Sequence, residues 1–449
     1  ANPINQGPNY KCSQEISLRL LNWIFAVYFY KHSPCLTETF FQRMVHYIYW
    51  QLHHIDKNIN FSRIAVRNNH AITETLTLYI VSTLFPWYSE SAKWKREGKK
   101  WFEQEIAYQI YDDGSYLQFS MNYHRVVIQL LTWAIRIAEL HQERFTPVVY
   151  AKAYKSVNFL YQCQEDSNGY LPNYGSNDGA LFFKLSDNDY RDYRPQLNAL
   201  HLLLTGQSLY REEQEDIYWY GGYRVKGEYP PLKKEKGVLS FPTGGYYLIR
   251  EEDTLTFIRC GNHKDRPAHA DNLHMDVWYQ GKNLLPDGGT YKYNTDNKTL
   301  KYFMGTESHN TVMLEKYDQM LKGARFIWYN WTQVRDVVVN ETEDTYVFSG
   351  TIHCFTCLGK KITHTRKVTK RKEKPEWNIE DIITDKPAQL LMRQIWHIMP
   401  GSAIQFESDT ERIEEITYYS SYYGAKKEIS QTVFQTNRNT IHTHISINA

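Results

Sequence analysis

Cysteine is scarce: six in 449 residues cannot form the disulfide framework of a small secreted scaffold. Cys354-Phe355-Thr356-Cys357 is a lone CxxC in a strand-like run, and without a second pair it is a weak metal or redox signal. No apolar run reaches transmembrane length, so no membrane span is expected. Charge of one sign is not in excess. Lys plus Arg number 52 against 50 Asp plus Glu, a net +2, which gives no support to a nucleic-acid binder driven by phosphate neutralisation. No repeat of fixed period is visible, and no signal peptide is legible. The first residue is Ala, and a mature chain would look the same, so a periplasmic or secreted setting is favoured only slightly over a cytoplasmic one.

Aromatic residues, by contrast, are abundant: 15% of the chain, including 36 Tyr and 12 Trp. Flat rings and phenol hydroxyls suit a carbohydrate cleft, but large cores consume aromatics too. A chain of this length exceeds one ordinary core, so two domains are expected. Helical spacing runs from Ser13 to Tyr30, with Ile16, Leu20, Trp23, Ile24 and Val27 on one face. Further helices are predicted over 38–54, from Asn69 onward, and over 91–111, 121–142, 147–164 and 193–207. Short breakers such as Asp112-Asp113-Gly114-Ser115 separate them. Consecutive helices with short connections stack as a bundle, a solenoid or a closed toroid. Residues 171–195 interrupt this rhythm with turn formers, and about 208–238 read as a charged, Pro-containing linker. From Val238 the period changes to two, as in Thr254-Leu255-Thr256-Phe257-Ile258 and Ile441-His442-Thr443-His444-Ile445, which predicts an antiparallel β-sandwich. The division expected is a helical domain over 1–220 and a β-sandwich over 238–449.

Several clusters could carry chemistry. Arg67-Asn68-Asn69-His70, followed by Glu74, opens a helix; one Asn suffices as a cap, and the rest is surplus polarity at a positive helix end. Tyr123-His124-Arg125 opens another, where a neighbouring cation would lower the phenol pKa toward a phenolate base. In the β half His269, Asp271, His274, Asp276, Asp287 and His309 form a metal-capable set. On a strand, His269 and His274 would point to opposite faces and not ligate one ion together.

Taken together, these blocks resemble the heparinase II/III-like polysaccharide lyases. The matching stretches are Asn68-Asn69-His70 through Glu74, Asp113-Gly114-Ser115 through Asn122-Tyr123-His124, Asn173-Tyr174-Gly175-Ser176-Asn177-Asp178-Gly179, His269-Ala270-Asp271-Asn272-Leu273-His274 through Asp287-Gly288-Gly289-Thr290-Tyr291, and Ser308-His309-Asn310-Thr311. The resemblance implies an N-terminal incomplete (α/α) toroid followed by a C-terminal antiparallel β-sandwich. It implies β-elimination on a uronic-acid polysaccharide, an anionic polymer. Asn69 and His70 would neutralise the sugar carboxylate, with His70 also a possible base, and Tyr123 would serve as base or acid, or both, with His124 a weaker candidate. Asn68, Glu74, Asn177, Asp178, His263, Arg266 and His274 are the expected substrate-contacting set, with Glu74 orienting His70. A structural metal, zinc in the family, would sit on His269, Asp287 and His309. One departure stands out: Pro267 occupies the position two before the first metal ligand, where many members carry a catalytic His. Either His263 or Arg266 reaches that space, or this branch works without that imidazole. The chain is also short for the family, so helices at the N-terminal side are expected to be missing.

Two alternatives stay open. A glycoside hydrolase on a similar toroid would need two opposed carboxylic acids, and the helical blocks supply Asn, His and Tyr instead. A non-catalytic polysaccharide-binding or assembly protein would keep the cleft without turnover. The sequence does not select the polymer, although the modest charge argues against a heavily sulfated one.

Overall fold

The computed structural model describes residues 3–212, 215–220 and 227–448. The helical part comprises α1 (Ser13–Phe29), α2 (Glu38–Asn60), α3 (Asn69–Leu84), α4 (Ser91–Gln109), α5 (Met121–Leu140), α6 (Pro147–Cys163) and α7 (Arg194–Thr205), followed by a short α8 (Asp216–Tyr220). The helices α1, α3, α5 and α7 pack successively against one another, and α2, α4 and α6 lie outside them. Sequence explains this layering. Almost every side chain of α3 and α5 is buried, so neither helix needs a polar stripe. In contrast α2 and α4 carry Lys, Glu and Gln on an outward face. Alternate helices of an up-down array run parallel, and the starts of α1, α3 and α5 all reach one cleft. The arrangement is an incomplete (α/α) toroid, as expected. The helix predicted over 38–54 is longer than its apolar pattern. It runs to Asn60 and continues as a π-turn over Phe61–Val66, closed by a left-handed Arg67 with φ 48°.

The linker expected over 208–238 lies partly outside the described residues (213–214 and 221–226), and its described portion includes α8. Antiparallel sheets follow. Strands Gly237–Phe241, Tyr246–Arg250, Thr254–Arg259, Met275–Tyr279 and Lys282–Leu285 form a five-stranded meander. A six-stranded sheet holds Gln333–Glu341, Thr345–His353, Thr363–Arg371, Glu376–Thr384, Ile404–Ser408 and Thr440–Ile447. A four-stranded sheet is built from Val312–Leu314, Met392–Ile398, Glu411–Tyr422 and Ala425–Thr436. One core joins all three: Ile258, Val277 and Leu285 meet Phe348, Val368 and Trp377, and Val312, Trp396 and Phe434.

The first sheet is covered on both faces. Tyr246–Arg250 and Thr254–Arg259 are buried at every position. Leu248, Phe257 and Trp278 belong to the core of the helices, while Tyr247, Ile258 and Val277 belong to the sandwich. A strand with two buried faces needs no polar alternation, so the period of two expected over Thr254-Leu255-Thr256-Phe257-Ile258 does not separate a wet face from a core face here. This sheet is the floor on which the toroid sits.

Candidate active site

A cleft of about 630 Å³ opens between the starts of the inner helices and the loops of the first sheet. From the helical side it is lined by Gln14, Glu15, Asn68, Asn69, His70, Gln118 and Tyr123, and from the loop after α6 by Ser176, Asp178 and Phe182. The β part contributes Arg266, Pro267, Ala268, Tyr293 and Phe326.

Local chemistry fixes each wall. Asn68 caps α3, its Oδ1 accepting from the His70 N–H at 3.0 Å, and the Asn69 N–H donates to Gln118 Oε1 at 3.0 Å. Ser120 caps α5, accepting from the Tyr123 N–H at 3.1 Å, while its own hydroxyl donates to Ser176 O at 2.5 Å. The loop 171–179 is thereby stitched to the start of α5, and the Met121 N–H adds a bond to Tyr174 O at 3.2 Å. Gly175 makes the approach feasible. It has φ +82°, and a Cβ there would lie 2.1 Å from Phe119 O. On the far side Arg259 Nε donates to the Tyr174 hydroxyl at 3.0 Å, and Tyr108 donates to Asp265 at 2.9 Å, which ties both halves around the cleft.

Tyr123 points its hydroxyl at Tyr293, 2.8 Å away, with the Asp178 carboxylate close enough to act on both phenols. Burial first, then Tyr293 and Asp178, push the Tyr123 phenol well above its ordinary value. This corrects the expectation that an adjacent cation lowers it. Arg125 turns away from the cleft, to Asn122 at 3.1 Å and between the rings of Tyr190 and Tyr193. Tyr123 is therefore a protonated phenol at rest. Burial, then the Arg266 guanidinium, pushes the His70 imidazole down to about 4, so it is neutral at ordinary pH.

The other expected residues divide. Asn68, Asn69, His70, Tyr123, Asp178 and Arg266 share the cleft. His124 does not: its ring is fully buried, contacts Ser156 Oγ and stacks on Phe159, because adjacent helical residues point about 100° apart. Glu74 also departs from expectation. Its carboxyl accepts from Ser62 at 2.6 Å, not from His70, and burial raises it to about 8. Asn177 is held behind the cleft wall by the Tyr190 hydroxyl at 2.7 Å and the Gly179 N–H at 2.7 Å. His263 packs edge-on against Phe119 beside Trp331 and does not line the cleft. His274 is wholly buried in the sandwich, bonded to Asp276 at 3.2 Å and to the Asn310 N–H at 2.9 Å, so it cannot touch a substrate. The space expected for a second histidine is filled by Pro267 and Arg266, whose guanidinium lies 5.4 Å from the Phe326 ring. Tyr293, Ser176, Gln14, Glu15 and Phe326 are cleft residues that sequence reasoning did not single out. Ser176 stood inside a quoted block, and Tyr293 lies two residues beyond another.

Behind the cleft, His269, Asp287 and His309 place one donor atom each within 4.8 Å of one another, all fully buried. His309 Nδ1 is 2.9 Å from Asp287 Oδ2. His269 Nδ1 and His309 Nε2 are buried with no hydrogen-bond partner. Two orphaned imidazole nitrogens beside a carboxylate are costly in a dry interior and suit a divalent ion. Ser176 links this group to the cleft, its hydroxyl 3.4 Å from His269 Nε2.

A toroid seated on a sandwich, with an Asn–His–Tyr cleft between and a His–Asp–His group behind it, defines a class of protein before any comparison. The model described as Heparinase II/III-like, C-terminal, matches residues 233–447, and that of the Heparinase II/III N-terminus matches residues 10–180. The chain belongs to the heparinase II/III-like family. It is 24% identical over 262 residues to a heparin-sulfate lyase of Bacteroides stercoris, a match covering 56% of this chain and 36% of that protein. It is 20% identical over 304 residues to a heparin-sulfate lyase of Pedobacter heparinus, covering 66% and 42%. The crystal structure of heparinase III superposes with a TM-score of 0.74 at 15% identity, over 96% of this chain and 68% of that one, and shares its fold. The matched region spans well under half the length of these lyases.

Proposed function

We propose that this chain is a polysaccharide lyase that cleaves a uronic-acid-containing polysaccharide by β-elimination. One observation carries the reading: Tyr123, Asn69 and His70 line one cleft. Elimination needs these groups together. The proton at C5 of a uronate is weakly acidic because the neighbouring carboxylate is already negative. Hydrogen-bond donors on that carboxylate let charge spread into it as the proton leaves. Asn69 and His70 would supply such donors at the N-terminus of α3, whose positive dipole end favours an anion.

Tyr123 is protonated at rest, so its oxygen takes the C5 proton as its own proton passes to Asp178. The C4–O bond then breaks as the C4=C5 bond forms. Tyr123 gives its proton to the departing glycosidic oxygen and recovers the one held by Asp178. The net result is one proton moved from C5 to the leaving oxygen and an unsaturated sugar at the new end. Tyr293 orients the Tyr123 hydroxyl, and Ser176 holds that wall against the sandwich.

For the His269–Asp287–His309 group we assign zinc, since two imidazoles and a carboxylate suit its preferences. When bound it would supply charge balance and bracing for the cleft wall. The cleft carries one guanidinium, Arg266, against the carboxylates of Glu15 and Asp178. A polymer with its charge mainly in uronate carboxylates fits that balance better than a heavily sulfated one.

A hydrolase reading would rest on Glu15 and Asp178 instead, and the product distinguishes them. Incubation with heparan sulfate, chondroitin, hyaluronan and alginate should give, with at least one, the ultraviolet absorbance of an unsaturated uronide. New reducing ends without that absorbance would establish hydrolysis, and neither signal would leave a binding protein.

A further inference from the structure

We infer that the tip of the hairpin Glu411–Tyr422/Ala425–Thr436, with Tyr291 and Lys292, is a second saccharide subsite that takes the uronate groups of sugar units outside the cleft. The inference rests on the lyase reading above. The tip is joined to the cleft at two points. Tyr423 lies over Gly179, where an added Cβ would be 3.2 Å from the Tyr423 Cβ, and Gly179 lines the cleft. The Tyr423 hydroxyl accepts the Tyr293 N–H at 3.2 Å, and the two rings meet edge to face at 5.7 Å. Tyr293 lines the cleft and Lys292 precedes it in the chain. The Gly424 N–H, at φ +85°, closes the contact on Tyr291 O at 2.8 Å.

The surface so formed pairs ammonium groups with open aromatic faces. Lys426 Nζ lies 4.2 Å from the Tyr418 ring centre and 5.2 Å from that of Tyr291, and Lys292 Nζ lies 5.0 Å from Tyr291. Tyr418 and Tyr423 remain 39% and 37% exposed. Among the described residues neither Lys292 nor Lys426 is in an ion pair. Cation–π contacts hold both ammonium groups over the tyrosines and leave their remaining N–H donors free. Flat faces beside unpaired cations are what a pyranose bearing a carboxylate requires. The cleft itself, with two carboxylates and one guanidinium, leaves the charge of a long polyanion largely unmatched. A subsite of this kind acts through chain length: a short oligosaccharide fills the cleft alone, and a longer one reaches the lysines as well.

The test uses the Tyr123→Phe chain, which holds substrate without turnover under the mechanism above, and the same chain carrying Lys292→Ala and Lys426→Ala. Calorimetric titration with tetrasaccharides and octasaccharides of heparan sulfate, chondroitin, hyaluronan and alginate reads the length dependence. The expected result is that Tyr123→Phe binds the octasaccharide more tightly than the tetrasaccharide. The added lysine substitutions should weaken octasaccharide binding about tenfold and narrow that gap, the scale of two rim charges. Lys292→Arg with Lys426→Arg should restore it. If the lysine variants bind both lengths as the Tyr123→Phe chain does, the subsite alone falls. If the Tyr123→Phe chain binds none of the oligosaccharides, the subsite falls together with the lyase reading.

Discussion

Tyr123 and His124 are adjacent in the chain, yet one hydroxyl lines the cleft and the other side chain is sealed against α6. What was legible at this site was which residues come together: Asn69, His70 and Tyr123 in the cleft, and the His–Asp–His group behind it. What was not legible was direction, because a helix turn separates neighbours that a motif prints side by side. Arg125 beside Tyr123 suggested a phenolate, and the fold sends that cation elsewhere. Two predictions follow at this scale. His70 is neutral because burial and Arg266 hold it near 4, and a bound carboxylate would draw its pKa back up. Binding of a uronate oligosaccharide near pH 6 should therefore take up protons, seen as a calorimetric enthalpy that changes with buffer ionisation heat. Binding without proton uptake would remove His70 from the carboxylate. Glu74 keeps its proton in the fold up to about 8, against an ordinary value of 4.5 when unfolded. The unfolded chain then binds fewer protons between those values, so this group costs stability as pH rises across that window. Glu74→Gln retains an acceptor for Ser62 and should be more stable than the parent above pH 8, by about 1–3 kcal/mol in denaturant unfolding, with little difference near pH 4.

Elements were legible where periodicity is strong. The long helices other than α2, which runs on to Asn60, fall close to their predicted positions because apolar spacing and short breakers agree. The strands of the first sheet were legible, but not the burial of both their faces, since a period of two implies one wet face. The loop 171–179 was recognisable as a break but not as a wall of the site. Its role depends on bonds to the start of α5 and on Gly175 passing under Phe119 O. Gly175→Ala should force this loop away from Ser120. The expected loss is about 1–3 kcal/mol of stability with a larger proportional loss of turnover, measured by thermal melting and initial rates. Unchanged kinetics would mean that the loop does not shape the cleft.

At the scale of the whole molecule, the architecture followed from the order of the motifs, helical blocks first and His–Asp–His blocks after. The convergence of inner-helix starts, sheet loops and the hairpin near Tyr423 on one cleft did not, because these lie up to four hundred residues apart in the chain. The zinc proposed for the His–Asp–His group would brace that convergence through Ser176. Elemental analysis of protein purified without chelator should find one zinc per chain. Chelation should lower the melting temperature, since an ion held only by the folded state stabilises it by mass action. A metal-free preparation with the same melting curve would remove the assignment.

The central claim is that the Tyr123 hydroxyl moves the proton in an elimination on a uronate held by Asn69 and His70. The direct measurement is the rate of unsaturated product formation by Tyr123→Phe on whichever polymer the parent cleaves, with melting as a control for the fold. The account predicts loss of at least about a thousandfold in kcat, the scale of a positioned proton-transfer group, with an unchanged melting curve. Product formation at the parental rate by a folded Tyr123→Phe chain would contradict it.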